Sequence, residues 1–325
     1  VRKVQVLIER AQEALTNSRI FRVALGTTAG TLLLWLAWRY WLDLLALITN
    51  SNPVLLCLSI ALGILANYIT GFPFRLFLAQ HGVSITFHTA ASLQLAAQIA
   101  KYIPGKVWSA VMQAQLSGIN RLGSLLVAGI DTSMFIMLTL TGIGVAILIA
   151  QFTWLGAIVI GAVTFTAVSH LSSKALLARV VAKFLHKRTQ YTFRQYQPSV
   201  LGFSWKPFAA AGFLHAIIYT SFVLVLLTAT IDFNAQYLLI ATASVFLSWV
   251  IGNLAVIVPS GIGIREIAFI GLSHAFSLPA DTATLASVAM LVRLINLVQD
   301  VISAGIVLPA IFFAHRQKKN GSMQF

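Results

Sequence analysis

Arg265 and Glu266 stand side by side deep in hydrophobic sequence, directly after Pro259-Ser-Gly-Ile-Gly263. A second interruption, Lys101-Tyr-Ile-Pro-Gly-Lys106, falls in the first half of the chain. Hydrocarbon offers no partner to a charge or to a backbone group freed by a broken helix, so both are costly there. The two breaks are therefore expected to line a cavity or to bury against protein, and function is sought at them first.

Composition sets the frame for that reading. Of 325 residues 58% are hydrophobic and only 9% charged, with a mean hydropathy of +0.88. An ordinary soluble domain and a disordered chain are both excluded, and the repeated apolar runs predict an all-α, polytopic membrane helical bundle. A single transmembrane domain is read over 20–313, between an amphipathic lead at 1–19 and a tail at 314–325. No stretch of soluble character is long enough to form a separate aqueous domain.

The formal charge of +14 is concentrated in three places. Arg2, Lys3, Arg10, Arg19 and Arg22 precede or open the first apolar run. Lys174, Arg179, Lys183, Lys187, Arg188, Arg194 and Lys206 fill a central connector at 172–206, and Arg316, Lys318 and Lys319 follow the last run. Positive-inside logic puts both termini and the connector in the cytosol of a cell inner or plasma membrane. Nucleic acid is not expected as a partner, because no binding module accompanies the charge. The lone Cys57 reads as a packing residue, and Glu9 and Glu13 in the lead argue against a cleaved signal peptide.

Along the chain, a first span is read at about 20–42, with Trp35, Trp38, Tyr40 and Trp41 as an aromatic belt at its end. Its Gly26-Thr-Thr-Ala-Gly30 face suits close helix contact, within the chain or in a homodimer. Asn50-Ser-Asn-Pro53 marks a turn, and a second span at about 54–74 ends near Arg75. Residues 84–119 read as two helix pieces around Pro104 and Gly105, because proline removes a donor and glycine permits an unusual turn. Further spans are read at 122–149, 153–171, 208–230 and 235–258. The Pro259 break, a short helix at 264–278 and a last span at 283–312 complete the pattern. Six spans with two re-entrant, discontinuous hairpins and eight full crossings both keep the termini on one side; the former resembles alternating-access architecture.

Helix pieces that end near a cavity expose backbone donors. Around Gly105 and from Gly261 to Gly263 such N–H groups suit phosphate or another anion, assisted by Lys101, Lys106 or Arg265. Neighbouring helical positions point about 100° apart, so Arg265 and Glu266 are expected to find different partners, with Asp131, Arg293 and Asp300 as candidates. Arg293, Asn296 and Asp300 form a polar stripe on the last span, which serves coupling or a structural ion network equally well. Metal, nucleotide and hydrolase chemistry find no pattern: His81 and His88 are seven apart, and neither HExxH, a nucleotide glycine fingerprint nor GxSxG occurs. No cofactor is expected.

Tyr102-Ile-Pro-Gly-Lys106 with Trp108, and Pro259-Ser260-Gly-Ile-Gly-Ile-Arg-Glu266, together with the Arg293-containing span, resemble the membrane-domain family related to the flippase part of lysylphosphatidylglycerol synthetases. The order-preserved elements run from about 85 to 312. The resemblance implies translocation of an anionic phospholipid or a polyprenyl-phosphate-linked glycan, with the headgroup recognised near the breaks, at Trp108 and Ser260 as well as the residues above. Asp131 stands where relatives often carry a longer acidic residue. No aminoacyl-transferase domain is read in the sequence, so synthesis of lysylated lipid is not expected of this chain alone. The competing class is a non-catalytic membrane scaffold or assembly partner of a lipid or glycan biosynthetic complex; a membrane transferase lacks an identifiable base.

Overall fold

Long apolar runs free of proline and glycine clusters satisfy their own backbone only as helices, and the chain takes that solution. A computed structural model describes residues 41–102, 108–117, 122–150, 204–254 and 261–319, with Trp38, Ile158 and Gly161. Every regular element among the described residues is helical: α1 (Trp41–Asn50), α2 (Pro53–Ile69), α3 (Gly71–Gln80), α4 (Phe87–Ala97), a 3-10 turn (Ile99–Tyr102), α5 (Trp108–Ser117), α6 (Leu122–Ala150), α7 (Lys206–Thr230), α8 (Ala235–Leu254), α9 (Ile264–Ala275) and α10 (Thr282–Lys319). Among the described residues, five segments are long and apolar enough to cross a membrane: 53–80, 127–150, 206–230, 235–254 and 282–311. The lead at 1–19, the Gly26–Gly30 face, the apolar run at 153–171 apart from Ile158 and Gly161, most of the basic connector and the apices of both breaks lie outside the described residues.

Two boundaries differ from the sequence expectation. Residues 41–50 are helical, where the first span was expected to stop near 42. Leu42 to Ile48 continue the apolar pattern, and the chain turns only at Asn52, whose Oδ1 accepts from the amides of Val54 and Leu55 ahead of Pro53. The second span likewise runs past Arg75 to Gln80. Thr70 keeps helical angles (φ −61°, ψ −18°) between α2 and α3, and Arg75 sits on an exposed face without ending the helix. Termination waits for Gly82, at φ 71°. Cys57 also departs from its reading: it lies exposed on α2, whose inward face is carried by Ser59, Gly63 and Ala66.

Among the described residues, two cores hold the bundle together. In the first half, Phe77 packs on Phe208 at 5.0 Å between ring centroids and on Phe135 at 6.4 Å, tying α3, α7 and α6 together. Gly71 lets α3 cross α4 so closely that a Cβ there would fall 2.4 Å from the Ala91 Cα. The second core gathers Phe222, Phe246, Phe269, Leu285 and Leu291 from α7 to α10. The final helix bridges the two, contacting α1, α2, α4 and α9. Gln299 on α10 donates to the Ser59 carbonyl at 3.3 Å through the gap left by Gly63. Both discontinuous units, α4 with α5 and α8 with α9, thereby face the same stretch of α10.

Candidate functional site

The site begins with a glycine contact. Gly261 takes φ 65°, and a Cβ on it would stand 2.6 Å from the Gly252 carbonyl oxygen, so the chain doubles back directly on α8. Gly263, at φ 81°, then opens α9. Left-handed angles of this kind are open to glycine at no steric cost. The turn delivers Arg265 onto α8, where its stem lies across Gly252: a Cβ at 252 would meet the Arg265 Cγ at 2.1 Å. One turn earlier on the same face, Trp249 receives the guanidinium at 5.5 Å from its ring centroid, a cation–π distance.

Glu266 points to another neighbour. Its Oε1 accepts from the Arg293 Nη1 of α10 at 3.0 Å, with the carboxylate side chain 4% exposed. The roughly 100° step between adjacent helical positions thus sends the arginine to α8 and the glutamate to α10. A second pair forms at the other break. Lys101 Nζ lies 2.7 Å from Asp300 Oδ2, and the Tyr102 hydroxyl donates to the same oxygen at 2.7 Å. Such pairs offset the cost of taking charge out of water in proportion to how close and how fully hydrogen-bonded they are, and here one oxygen of each carboxylate, Glu266 Oε2 and Asp300 Oδ1, is left without a partner.

Between these pairs lies a cavity of about 550 Å³, its open mouth included. Lys101 and Tyr102 from the first break, Trp249 from α8, Arg265 from the second break, and Arg293 and Asn296 from α10 are among the residues that line it. Residues flanking two interruptions separated by more than 150 residues therefore line one polar chamber inside an apolar bundle. Tyr219 of α7 and Ser248 of α8 complete the polar lining, and Val245, Phe269 and Ala289 contribute apolar surface. A chamber with fixed cations, aromatic faces and apolar wall suits a molecule that is polar at one end and greasy at the other.

The candidates divide into three groups. Lys101, Arg265, Glu266, Arg293 and Asn296 are brought to the cavity, with Asp300 one contact behind Lys101 and Gly261 and Gly263 shaping the turn. Gly105, Lys106 and Ser260 lie outside the described residues, and Trp108 opens α5. Asp131 does not join the cavity: it is buried on α6, 3.8 Å from His81 Nε2, in the other half of the bundle. Trp249, Gly252, Tyr219 and Ser248 are not among the residues the sequence points to. Trp249 and Gly252 carry only a faint signal, an aromatic and a glycine one helical turn apart just before a break. Tyr219 carries none. Among the described residues no group of three or more His, Cys, Asp or Glu is placed to hold a metal ion.

A sequence model described as the lysylphosphatidylglycerol synthase TM region matches residues 19–304, which takes in both breaks and the cavity. No curated protein and no solved structure matches the chain.

Proposed function

The chain belongs to the lysylphosphatidylglycerol synthase transmembrane-region family, and from that membership we propose that it translocates a phospholipid or a polyprenyl-phosphate-linked glycan between membrane leaflets. The observation that carries the reading is the charged cavity walled by the two helix breaks. A headgroup crossing hydrocarbon needs polar contacts in place of water, and fixed ion pairs with aromatic faces supply them without bond cleavage. The apolar walls of the cavity and the lipid-facing outer surfaces of α7 and α10, where Phe213 and Ile306 are exposed, leave the acyl or prenyl chains in an apolar environment. Opposed discontinuous helices meeting at one chamber suit alternating exposure of that chamber to the two sides. In this orientation the basic segments at 1–22, 172–206 and 316–319 face the cytosol, where anionic headgroups hold them.

The test is reconstitution into liposomes with fluorescent-tailed lipids whose outer-leaflet fraction is bleached chemically. Protein-dependent exposure of inner-leaflet label is expected, and Arg265→Ala and Lys106→Ala are expected to slow it. Absence of protein-dependent movement across a panel of phospholipids and polyprenyl-phosphate sugars, with the fold intact, overturns the reading. The scaffold alternative separates from it by cysteine crosslinking across the cavity. A scaffold gives one accessibility pattern, whereas a transporter gives two mutually exclusive ones.

A further inference from the structure

The charges of the described residues around the cavity do not cancel. Among them three cations face it or pair at its edge, Lys101, Arg265 and Arg293, against two carboxylates, Glu266 and Asp300, so three less two leaves one positive charge. The pairing identifies which cation is left over. Lys101 is held by Asp300 at 2.7 Å and Arg293 by Glu266 at 3.0 Å, while Arg265 rests on the neutral face of Trp249. Its buried Nε has no hydrogen-bond acceptor. The remaining acidic side chains of the described residues stand elsewhere: Asp131 beside His81 in the other half of the bundle, Asp43 exposed on α1, and Asp232 and Asp281 in the connections before α8 and α10. Beside Arg265 in the lining of the same cavity, Glu266 uses one carboxylate oxygen for Arg293 and leaves Oε2 buried without a donor. Buried charged acceptors and donors left in that condition are costly, and these two line a cavity in which an entering ligand can supply the missing partner.

We propose that this cavity selects a headgroup with one phosphodiester charge and neighbouring hydroxyls, with the phosphate seated at Arg265 and a hydroxyl donating to Glu266 Oε2. The inference rests on the lipid-translocating reading above and narrows it. A phosphodiester carries a single negative charge and neutralises the net charge of the cavity, and the planar guanidinium is the side chain suited to its paired oxygens. A hydroxyl, unlike a quaternary ammonium, donates a hydrogen bond to the free carboxylate oxygen. A headgroup whose ammonium groups outweigh its phosphodiester brings net positive charge to a cavity whose described side chains already sum to one positive charge, and is disfavoured. Glycerol and sugar phosphodiesters share the required chemistry, whether they belong to a phospholipid or to a polyprenyl carrier.

Binding to the purified full chain in detergent is measured by calorimetry, with short-chain phosphatidylglycerol, phosphatidylcholine and lysyl-phosphatidylglycerol, a short-chain polyprenyl-phosphodiester sugar, and inorganic phosphate as probes. The polyol phosphodiesters are expected to bind roughly tenfold or more tighter than the choline and lysyl lipids, the worth of one charge-assisted hydrogen bond. The two polyol arms show which source the site prefers, and inorganic phosphate matching them would reduce the site to a simple anion trap and overturn the headgroup proposal. Arg265→Gln is expected to abolish the preference, and Arg265→Lys to keep part of it. The double variant Glu266→Gln, Arg293→Gln removes an internally neutral pair; it is expected to retain phosphodiester binding and lose the discrimination in favour of hydroxyls. Equal affinity for all lipids in the parent protein, or an unchanged preference in a folded Arg265→Gln, overturns the proposal. Liposome assays on the same lipids keep the two readings apart. Translocation without headgroup preference refutes the charge selection alone, whereas selective binding without translocation refutes the transport reading alone.

Discussion

Gly252→Ala is expected to act entirely through Arg265. The added methyl would stand 2.1 Å from Arg265 Cγ, with the next nearest atoms, Nε at 3.0 Å and Cδ at 3.1 Å, also belonging to that side chain. Carbon atoms settle at about 3.5–4.0 Å, so the stem has to retreat by roughly 1.5 Å. Trp249 and Gly252 lie one turn apart on one face of α8, and retreat from the glycine is retreat from the indole. From its present 5.5 Å the guanidinium passes out of cation–π range, which ends at about 6 Å. Loss of that contact costs about 0.5–2 kcal/mol and the forced repacking about 1–3 kcal/mol.

The cost is conditional on the arginine, so a double-mutant cycle isolates it. Unfolding of Gly252→Ala, Arg265→Ala and the double variant in mixed micelles is expected to give a coupling energy of about 1–3 kcal/mol, the double variant being about as stable as Arg265→Ala alone. In liposomes, translocation by Gly252→Ala is expected to fall to the residual level of Arg265→Ala. Additive destabilisation, within about 0.5 kcal/mol, would show that the methyl acts on something other than the arginine and would refute the reasoning. So would a Gly252→Ala protein that transports normally.

Three further outcomes follow from the structure. Gly71→Ala drives a methyl to 2.5 Å from the Ala91 amide nitrogen, backbone that cannot rotate away; thermal unfolding in detergent should show a loss at or above the usual overpacking cost of about 1–3 kcal/mol. Lys101→Met strands the buried Asp300 carboxylate with Tyr102 alone. Chemical unfolding should register a cost of about 3–5 kcal/mol, most of it recovered when Asp300→Leu is added. Asp281 caps α10 by accepting from the Thr284 amide at 2.9 Å, and hydrogen bonds from Thr284 hold its carboxyl below the ordinary value. A depressed folded pKa contributes stability that is present above the unfolded value and lost as pH falls through the folded one. The acid limb of the stability curve below about pH 4 should therefore be shallower in Asp281→Asn, and an unchanged limb would remove the cap from the account.

Several features could be read along one dimension. Pro104-Gly105 and Pro259 to Gly263 announced two broken elements because proline and glycine act on the local backbone, whatever surrounds them. The stretch beyond Trp41 and the helix through Arg75 are not legible in this way. An aromatic cluster and a single charge do not end a helix, whereas a residue that forces the backbone out of helical angles, such as Gly82, does. The expectation that Cys57 packs rests on its chemistry alone, whereas only the packing of α2 fixes which face is buried, and Cys57 lies exposed.

What the chain determined by itself is its solvent and its interruptions. Apolar length dictates helices in lipid, since backbone groups there must satisfy themselves, and the two charged breaks mark where that rule is relaxed. The tertiary structure decided the partners. Lys101 met Asp300, Glu266 met Arg293, Asp131 went to His81 instead of the cavity, and Trp249 with Gly252 became the bed for Arg265. Electrostatic pairing depends on distance through space, and residues 199 positions apart in sequence acquire that distance only when helices pack.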